Sequence, residues 1–330
     1  MVAEEKETKN RLLELPTRLW QKNSVIVVFA AIVLLCGIAA PRFLRPENLF
    51  TILRSTSMVG VISLGMTFVI ISGGIDLSSG SVLASAGAVL ILLQQQVDAS
   101  GAPLYPLPFV ILVCCAVAVG YGLVNGFIIT KLSLPPFIVT LAVGIIARSI
   151  TAYFTQGRTI IGNRVPEFTR IGNGSFFNLI PIPFVIVVVA AVALNVMLKR
   201  SKFGSYLFAV GGNENAARFS GMKVDRIKIV TYMLAGLCTG IAATIEMSRM
   251  AAVQVMSSGY LYEFEAITAV LIGGTSLSGG KGRLVGTVVG FILLGMVNNI
   301  IIMLSLSPFL VGAVKGSMIL LAVLVQRRER

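Results

Sequence analysis

Histidine is absent from all 330 residues, and with it go histidine-ligated zinc sites, Ser-His dyads and imidazole proton relays. Charge is scarce too: Asp, Glu, Lys and Arg make up 12% of the chain, 56% is hydrophobic, and the mean hydropathy is +0.90. So little polar surface cannot cover a soluble globule of this length, and the composition is that of an integral membrane protein. The four cysteines, Cys36, Cys114, Cys115 and Cys238, all fall inside apolar runs, where they read as small buried hydrophobes and not as a disulfide framework or a zinc site. A phosphate loop is also missing. Gly274 to Lys281 approaches one, but the GxxxxGK[ST] spacing is not met, and Gly282 stands where a magnesium-binding hydroxyl is required. No cofactor is expected.

The net charge of +13 does not point to nucleic acid, because the basic residues flank apolar runs or gather in one loop, without interleaved aromatics. They read as topology determinants in a lipid bilayer. Ten apolar segments approach spanning length: 24–40, 52–72, 78–97, 107–130, 136–154, 181–198, 228–248, 263–277, 284–304 and 308–325. The eighth is short for a full crossing and suggests a tilted, broken or re-entrant helix. The first is not read as a cleaved signal peptide, because acidic residues crowd its flank. Ten crossings put both termini on one side. If that side is the cytoplasm, the inner segments carry five basic residues in 1–23, then Lys131, seven in 199–228, Lys281, Arg283, Arg327, Arg328 and Arg330. The outer segments carry fewer: Arg42, Arg45, Arg54, Arg158, Arg164, Arg170 and Arg249. The positive-inside rule selects this orientation. The chain then divides into a cytoplasmic segment 1–23, a transmembrane domain 24–325 with the cytoplasmic loop 199–228, and a cytoplasmic tail 326–330.

That loop is the one long polar stretch between apolar runs. In Gly211, Gly212, Asn213, Glu214, Asn215, Ala216, Ala217, Arg218, Phe219, Ser220 and Gly221, Asn213 can cap a helix N-terminus and the alanines favour helix. Gly221 can supply a left-handed end. A short rigid helix of about two turns, held by two membrane spans, reads either as a docking knob for another protein or as an ordinary connection.

Polar residues at membrane depth are costly, which makes Asp76, Asn125, Arg148, Glu246, Asn298, Asn299 and Lys315 candidates for function. Asp76 follows two glycines and can anchor the start of the next helix, a structural role that competes with substrate contact. Glu246 and Arg249 are three apart and can pair on a helix surface. Gly282, Gly286 and Gly290 recur at i, i+4, i+8 and read as a helix-packing face. The chain also resembles itself: Gly73 to Gly80 is similar to Gly273 to Gly280. Val124-Asn125 with Pro136-Phe137 is likewise similar to Val297-Asn298 with Pro308-Phe309. A duplicated four-helix unit follows. The two Pro-Phe turns fall on opposite faces of the membrane, as an inverted repeat requires, whereas the two Gly-Gly breaks fall on the same face. Asn125 and Asn298 then match, and each carries donors and acceptors suited either to a hydroxyl-rich solute or to interhelical bonding.

Four runs carry a resemblance: Ser72 to Ser81, Leu134 to Leu141, Ala209 to Arg218, and Ala269 to Leu277. Together, in this order, they resemble the permease subunits of bacterial ribose-type ABC importers, of the branched-chain amino acid/ribose permease family, over roughly 48–325. What the resemblance implies is an all-α polytopic fold similar to the cobalamin and siderophore importers, with Asn213–Ser220 as the coupling helix. It further implies a cytoplasmic ATPase subunit, an extracytoplasmic solute-binding protein, a second permease copy or paralogue, and residence in the bacterial inner membrane. A stand-alone facilitator or secondary transporter would also show repeats, but would leave the 199–228 loop without a purpose. Purified alone, the chain is expected neither to bind nor to hydrolyse ATP. Saturable ATP binding to the isolated chain would contradict this reading.

Overall fold

The computed structural model describes residues 42–162, 165–177 and 179–305, together with 37, 40, 312, 313, 316, 317 and 320. Apart from those isolated positions, the first and tenth expected spans lie outside the described residues, as do the Pro308-Phe309 turn, Cys36 and Lys315. The eight remaining expected spans each contain a helix. They are α1 (Pro46–Ile71), α2 (Ser79–Gln94), α3 (Leu107–Lys131), α4 (Pro136–Thr155), α6 (Ile182–Arg200), α9 (Val224–Met250), α10 (Tyr262–Ile272) and α11 (Leu284–Met303). Between them come α5 (Pro166–Asn173), α7 (Lys202–Gly212) and α8 (Glu214–Phe219). Among the described residues, six helices are long and apolar enough to cross a bilayer. Helices α2 and α10, of 16 and 11 residues, are not. At 1.5 Å per residue α2 covers only about 24 Å.

Proline sets several starts. Pro46, Pro136 and Pro166 occupy first-turn positions where the missing N–H costs nothing. Left-handed residues set several ends. Gly73 (φ 81°) closes α1, and Gly274 (φ 82°) closes α10. In each case two backbone N–H groups reach back to the last turn: Gly74 to Val69 and Gly73 to Ile70, and Thr275 to Val270 and Gly274 to Leu271. Both are Schellman closures.

Helix α1 is the hub. Of its most apolar 18-residue window 89% is buried, against 22% for α3 and α6, whose outer faces are left for lipid or other subunits. Around α1 stand α6, α9, α10 and α11, while α3 packs mainly on α9. Glycine makes that last packing possible. Gly122 and Gly126 on α3, and Gly236 and Gly240 on α9, each bring one helix backbone against the other. A Cβ on Gly236 would collide with the Ala118 carbonyl. The same device joins α10 to α11, where Gly286 and Gly290 lie on the carbonyls of Gly273 and Ala269. Without a hydrophobic drive between helices in lipid, such close backbone approach is a main source of attraction.

Short antiparallel pairs tie the loops at one end of the bundle. In one, β1 (Ile160–Ile161) pairs with β4 (Ala252–Val253); in the other, β2 (Ser175–Phe176) pairs with β3 (Ile180–Pro181). Cys114, Cys115 and Cys238 are free thiols.

Replacing Gly236 by leucine should overpack the α3–α9 crossing and cost about 1–3 kcal/mol or more. Gly120→Ala, at a position where a Cβ meets nothing within 4 Å, should leave stability unchanged. Thermal unfolding midpoints of the detergent-purified variants decide it. Equal midpoints would remove the crossing as a stability determinant.

Candidate functional site

Two regions hold the polar chemistry, one in the loop before α9 and one within the bundle alongside it. The first is the loop between α6 and α9. It folds as helix–turn–helix, not as one short helix. Ser201 caps α7, its side chain accepting the Gly204 N–H at 3.1 Å, and Phe203, Leu207 and Val210 turn towards the bundle, Phe203 stacking on Phe68 with centroids 6.3 Å apart. The 3–4 residue spacing of these three apolar positions was the available sequence signal for α7. Asn213 separates α7 from α8, and its side chain accepts the Ala216 N–H at 2.9 Å. Gly221 (φ 79°) ends α8 with the same paired closure as α1, the N–H groups of Met222 and Gly221 reaching Ala217 and Arg218.

Charges lock this knob to its own stem. Lys228 bonds Glu214 at 2.5 Å, Arg218 bonds Glu214 at 3.3 Å and Asp225 at 3.1 Å, and Lys131 at the end of α3 bonds Asp225 at 3.2 Å. Alternating signs over three elements make a network, which rigidifies more than isolated surface pairs do. Ala217 is buried beneath α8, whereas Asn215, Ala216 and Phe219 face outward; Phe219 is 92% exposed. The free face of the knob therefore consists of Asn215, Ala216 and Phe219, and Ala217 contributes to seating it.

Gly211 and Gly212, at the end of α7, do not sit on that free face alone. The Gly280 N–H donates to the Ile71 carbonyl at 2.9 Å, and Gly211 lies against both groups. Gly279 in turn touches Gly211 and Gly73. The stem of the knob thus meets, backbone on backbone, the break after α1 and the break after α10. A side chain at Gly211 would strike the Ile71 carbonyl.

The second region is the break between α1 and α2 and what surrounds it deeper in the bundle. Asp76 is buried; its carboxylate accepts the Ser78 N–H at 2.8 Å, the Ser78 hydroxyl at 2.6 Å and the Ser79 hydroxyl at 3.1 Å. These bonds fasten the Asp76 carboxyl group to the start of α2, as an N-terminal cap does. Asn125 donates to Ser78 at 2.9 Å, with its own carbonyl oxygen unpartnered. Thr140 accepts the Leu77 N–H at 3.0 Å, and the Tyr232 hydroxyl donates to Ile75 at 3.4 Å. Thr140 and Tyr232, from two other helices, thus meet the Leu77 N–H and the Ile75 carbonyl of this irregular stretch. Asn299 belongs elsewhere: it exchanges two amide bonds with Asn48, at 2.9 and 3.0 Å, and joins α11 to α1. Asn298 is half-buried and makes no side-chain hydrogen bond among the described residues. Structure therefore separates Asn125 from Asn298, which the sequence pattern had matched.

Residues passed over in favour of the asparagines prove central. Arg148 on α4 donates to Ser81 at 3.1 Å, to Ser258 at 3.2 and 3.3 Å, and to Val255. It thereby draws the 251–261 segment inward until Gly259 touches Gly80, the second residue of α2. Next to that contact α10 begins, with Glu263 against Gly80. Two short helices thus start side by side within the bundle. Glu246 is buried and forms no ion pair with Arg249, so the expected surface pair is absent among the described residues. Instead both line a cavity of about 350 Å³ with Met58, Thr159, Gln254, Ser257, Ser258 and Tyr262. Of the residues gathered here, Glu246 and Arg148 were legible as charges inside apolar runs; their partners come from segments up to 110 residues away.

Comparison with known proteins follows this geometry. A family model described as the branched-chain amino acid transport system / permease component matches residues 48–323. The ribose import permease protein of Bacillus subtilis (strain 168) is 40% identical, over 94% of this chain and 94% of its own length. The L-arabinose transport system permease protein of Escherichia coli (strain K12) is 36% identical over 95% of this chain and 92% of its own. The D-allose transport system permease protein of the same organism is 32% identical over 93% and 92%. No solved structure matches this chain.

Burial alone would raise the Glu214 carboxyl, but the Lys228 and Arg218 bonds outweigh it and hold the group below the ordinary value of 4.5. A lowered folded value means the contribution to stability is complete above 4.5 and is lost as pH falls through the lowered value. A nitroxide label at Ser220 should accordingly become more mobile as pH drops from about 7 to about 3.5, and Glu214→Gln should be mobile at both. A parent spectrum flat across that range would show that the network does not hold the knob.

Proposed function

The chain belongs to the branched-chain amino acid transport system permease family, and on that premise we propose that it is the membrane-spanning subunit of an ATP-driven bacterial importer for a monosaccharide such as ribose. One observation carries the substrate class. Relatives similar over nearly their whole length are named for ribose, L-arabinose and D-allose, all neutral monosaccharides. ATP hydrolysis belongs to a separate cytoplasmic subunit. An extracytoplasmic binding protein delivers the sugar, and a second permease copy or a paralogue completes the pathway.

Coupling falls to the knob Asn213–Phe219, with Gly211, Gly212 and Gly221 as its stem and closure. Its rigid charge network and exposed Phe219 support this role, because a lone aromatic on a polar cytoplasmic surface is the usual form of an interface anchor. Through Gly211 the knob bears on Ile71 and Gly280. Movement of the knob would therefore reach both interrupted helices together, and rocking of those helices would switch access from outside to inside. Asp76 and Asn125 serve the break that must survive such movement, whereas Asn298, which has no side-chain hydrogen bond among the described residues, is assigned to the pathway.

Ten crossings, both termini cytoplasmic, with segment 1–23, membrane domain 24–325 and tail 326–330, complete the proposed topology. The matched Schellman closures after α1 and α10 support an internal repeat, offset by one residue from the Gly-Gly alignment, since Gly73 corresponds to Gly274. Interrupted helices meeting near one level would suit an architecture similar to the cobalamin and siderophore importers.

Truncating Phe219 to alanine should weaken association with the ATPase subunit by about 2 kcal/mol or more and lower sugar uptake, while membrane insertion is unchanged. Ala217→Trp should unseat the knob itself and have the same consequence by a different route. Co-purification of the ATPase and uptake into ATP-loaded vesicles measure both. Full assembly and transport by the two variants would exclude this loop as the transmission element and favour a facilitator that works without an ATPase.

A further inference from the structure

We propose that the cavity between α9, the 251–261 segment and α10 is a binding subsite for one neutral monosaccharide, contacted by Glu246, Gln254, Ser257 and Tyr262. The inference rests on the transport reading above and adds a place where the permease itself handles the sugar.

Size and location come first. At about 350 Å³ the cavity lies at the lower end of the roughly 300–1,000 Å³ usual for small-molecule sites. It stands at the end of α9 opposite Asp225 and the knob, so a solute there has the length of the bundle still to cross.

Its chemistry then selects the ligand. Glu246 lines the cavity but is only 7% exposed, and its oxygen Oε2 is sealed from solvent without a hydrogen-bond partner. As a cavity-lining residue Glu246 offers a carboxyl acceptor, and a ligand hydroxyl is the neutral donor that suits it. Arg148 cannot fill that place, because its guanidinium is already engaged by Ser81, Val255 and Ser258. What Arg148 does is fix the cavity wall. On that wall the Ser257 hydroxyl donates to the Gln254 side-chain oxygen at 2.6 Å, which leaves the Gln254 amide nitrogen to donate to a ligand. Glu246 and Gln254 thus line the same space with an acceptor and a donor, the pairing that a vicinal diol requires. Arg249 offsets Glu246 in the lining, so a charged ligand of either sign would meet one like charge. Met58 and the Tyr262 ring supply apolar surface for the C–H face of a sugar.

Position gives the subsite a consequence. Tyr262 begins α10, and the segment that follows the end of α10 carries Gly279 and Gly280, which touch Gly211 and Ile71. One 11-residue helix therefore runs from the cavity to the stem of the knob.

The test uses the complete importer, permease with ATPase and binding protein, in proteoliposomes, with labelled D-ribose, L-arabinose, D-allose and 2-deoxy-D-ribose as probes. Glu246→Gln should lower maximal uptake about tenfold, and Gln254→Ala about three- to tenfold, while ATPase stimulation by loaded binding protein stays within about twofold of the parent. With the same binding protein throughout, the ratio of D-ribose to 2-deoxy-D-ribose uptake should also shift, a change that a merely structural role would not produce. Should Glu246→Gln fail to assemble, Gln254→Ala, on an exposed loop position, decides alone. Parent-level uptake with an unchanged ratio in Gln254→Ala overturns the subsite while leaving the importer reading intact. A parent complex that takes up none of the sugars overturns both.

Discussion

Within a bilayer an unpaired backbone N–H or carbonyl costs several kcal/mol, and this chain breaks off the helices α1 and α10 inside its bundle. The rest of the structure is arranged around meeting that demand. After α1, the groups from Ile75 to Ser78 are met by Thr140, Tyr232 and the Asp76 carboxylate. After α10, the Gly280 N–H finds the last carbonyl of α1 at Ile71. Four other helices thereby become committed to the breaks, either through side chains or through glycines that let a backbone close in.

Such mutual commitment explains why the knob and the interior of the bundle are physically continuous. A side chain at Gly211 or Gly286 would push apart elements that share hydrogen bonds, so these positions need glycine for contact and not for flexibility. Gly73 and Gly274 need it for the other reason, a left-handed backbone that ends a helix without a steric penalty. Packed junctions of this kind shift as units and do not deform gradually, which is the property a transmission element requires.

Charge is used in two distinct ways. On the knob, Lys131, Asp225, Arg218, Glu214 and Lys228 alternate in a solvated chain that orders a short helix. Inside the bundle, Arg148 is spent on carbonyls and a hydroxyl, and Glu246 keeps one oxygen free. The first arrangement stiffens a surface. The second holds the 251–261 segment in place and leaves a polar cavity behind it.

Membrane class, the existence of eight described helices, the cap at Asn213 and the closure at Gly221 were all legible in the sequence, because each depends on residues close together in the chain: apolar run length, an Asn side chain reaching three residues on, a glycine at positive φ. The shortness of α10 was legible for the same reason. What only the tertiary structure decided were the pairings: Asn299 with Asn48 across 251 residues, Arg148 with the 255–258 segment, and Gly211 with Ile71 and Gly280. Likewise, the burial of Ala217 beside the exposure of Phe219 could not be read from a helix of six residues, too short to show a face by periodicity. Local chemistry fixes where a helix starts and stops; which distant group satisfies a buried polar atom depends on how the helices pack, and no spacing in the sequence encodes that.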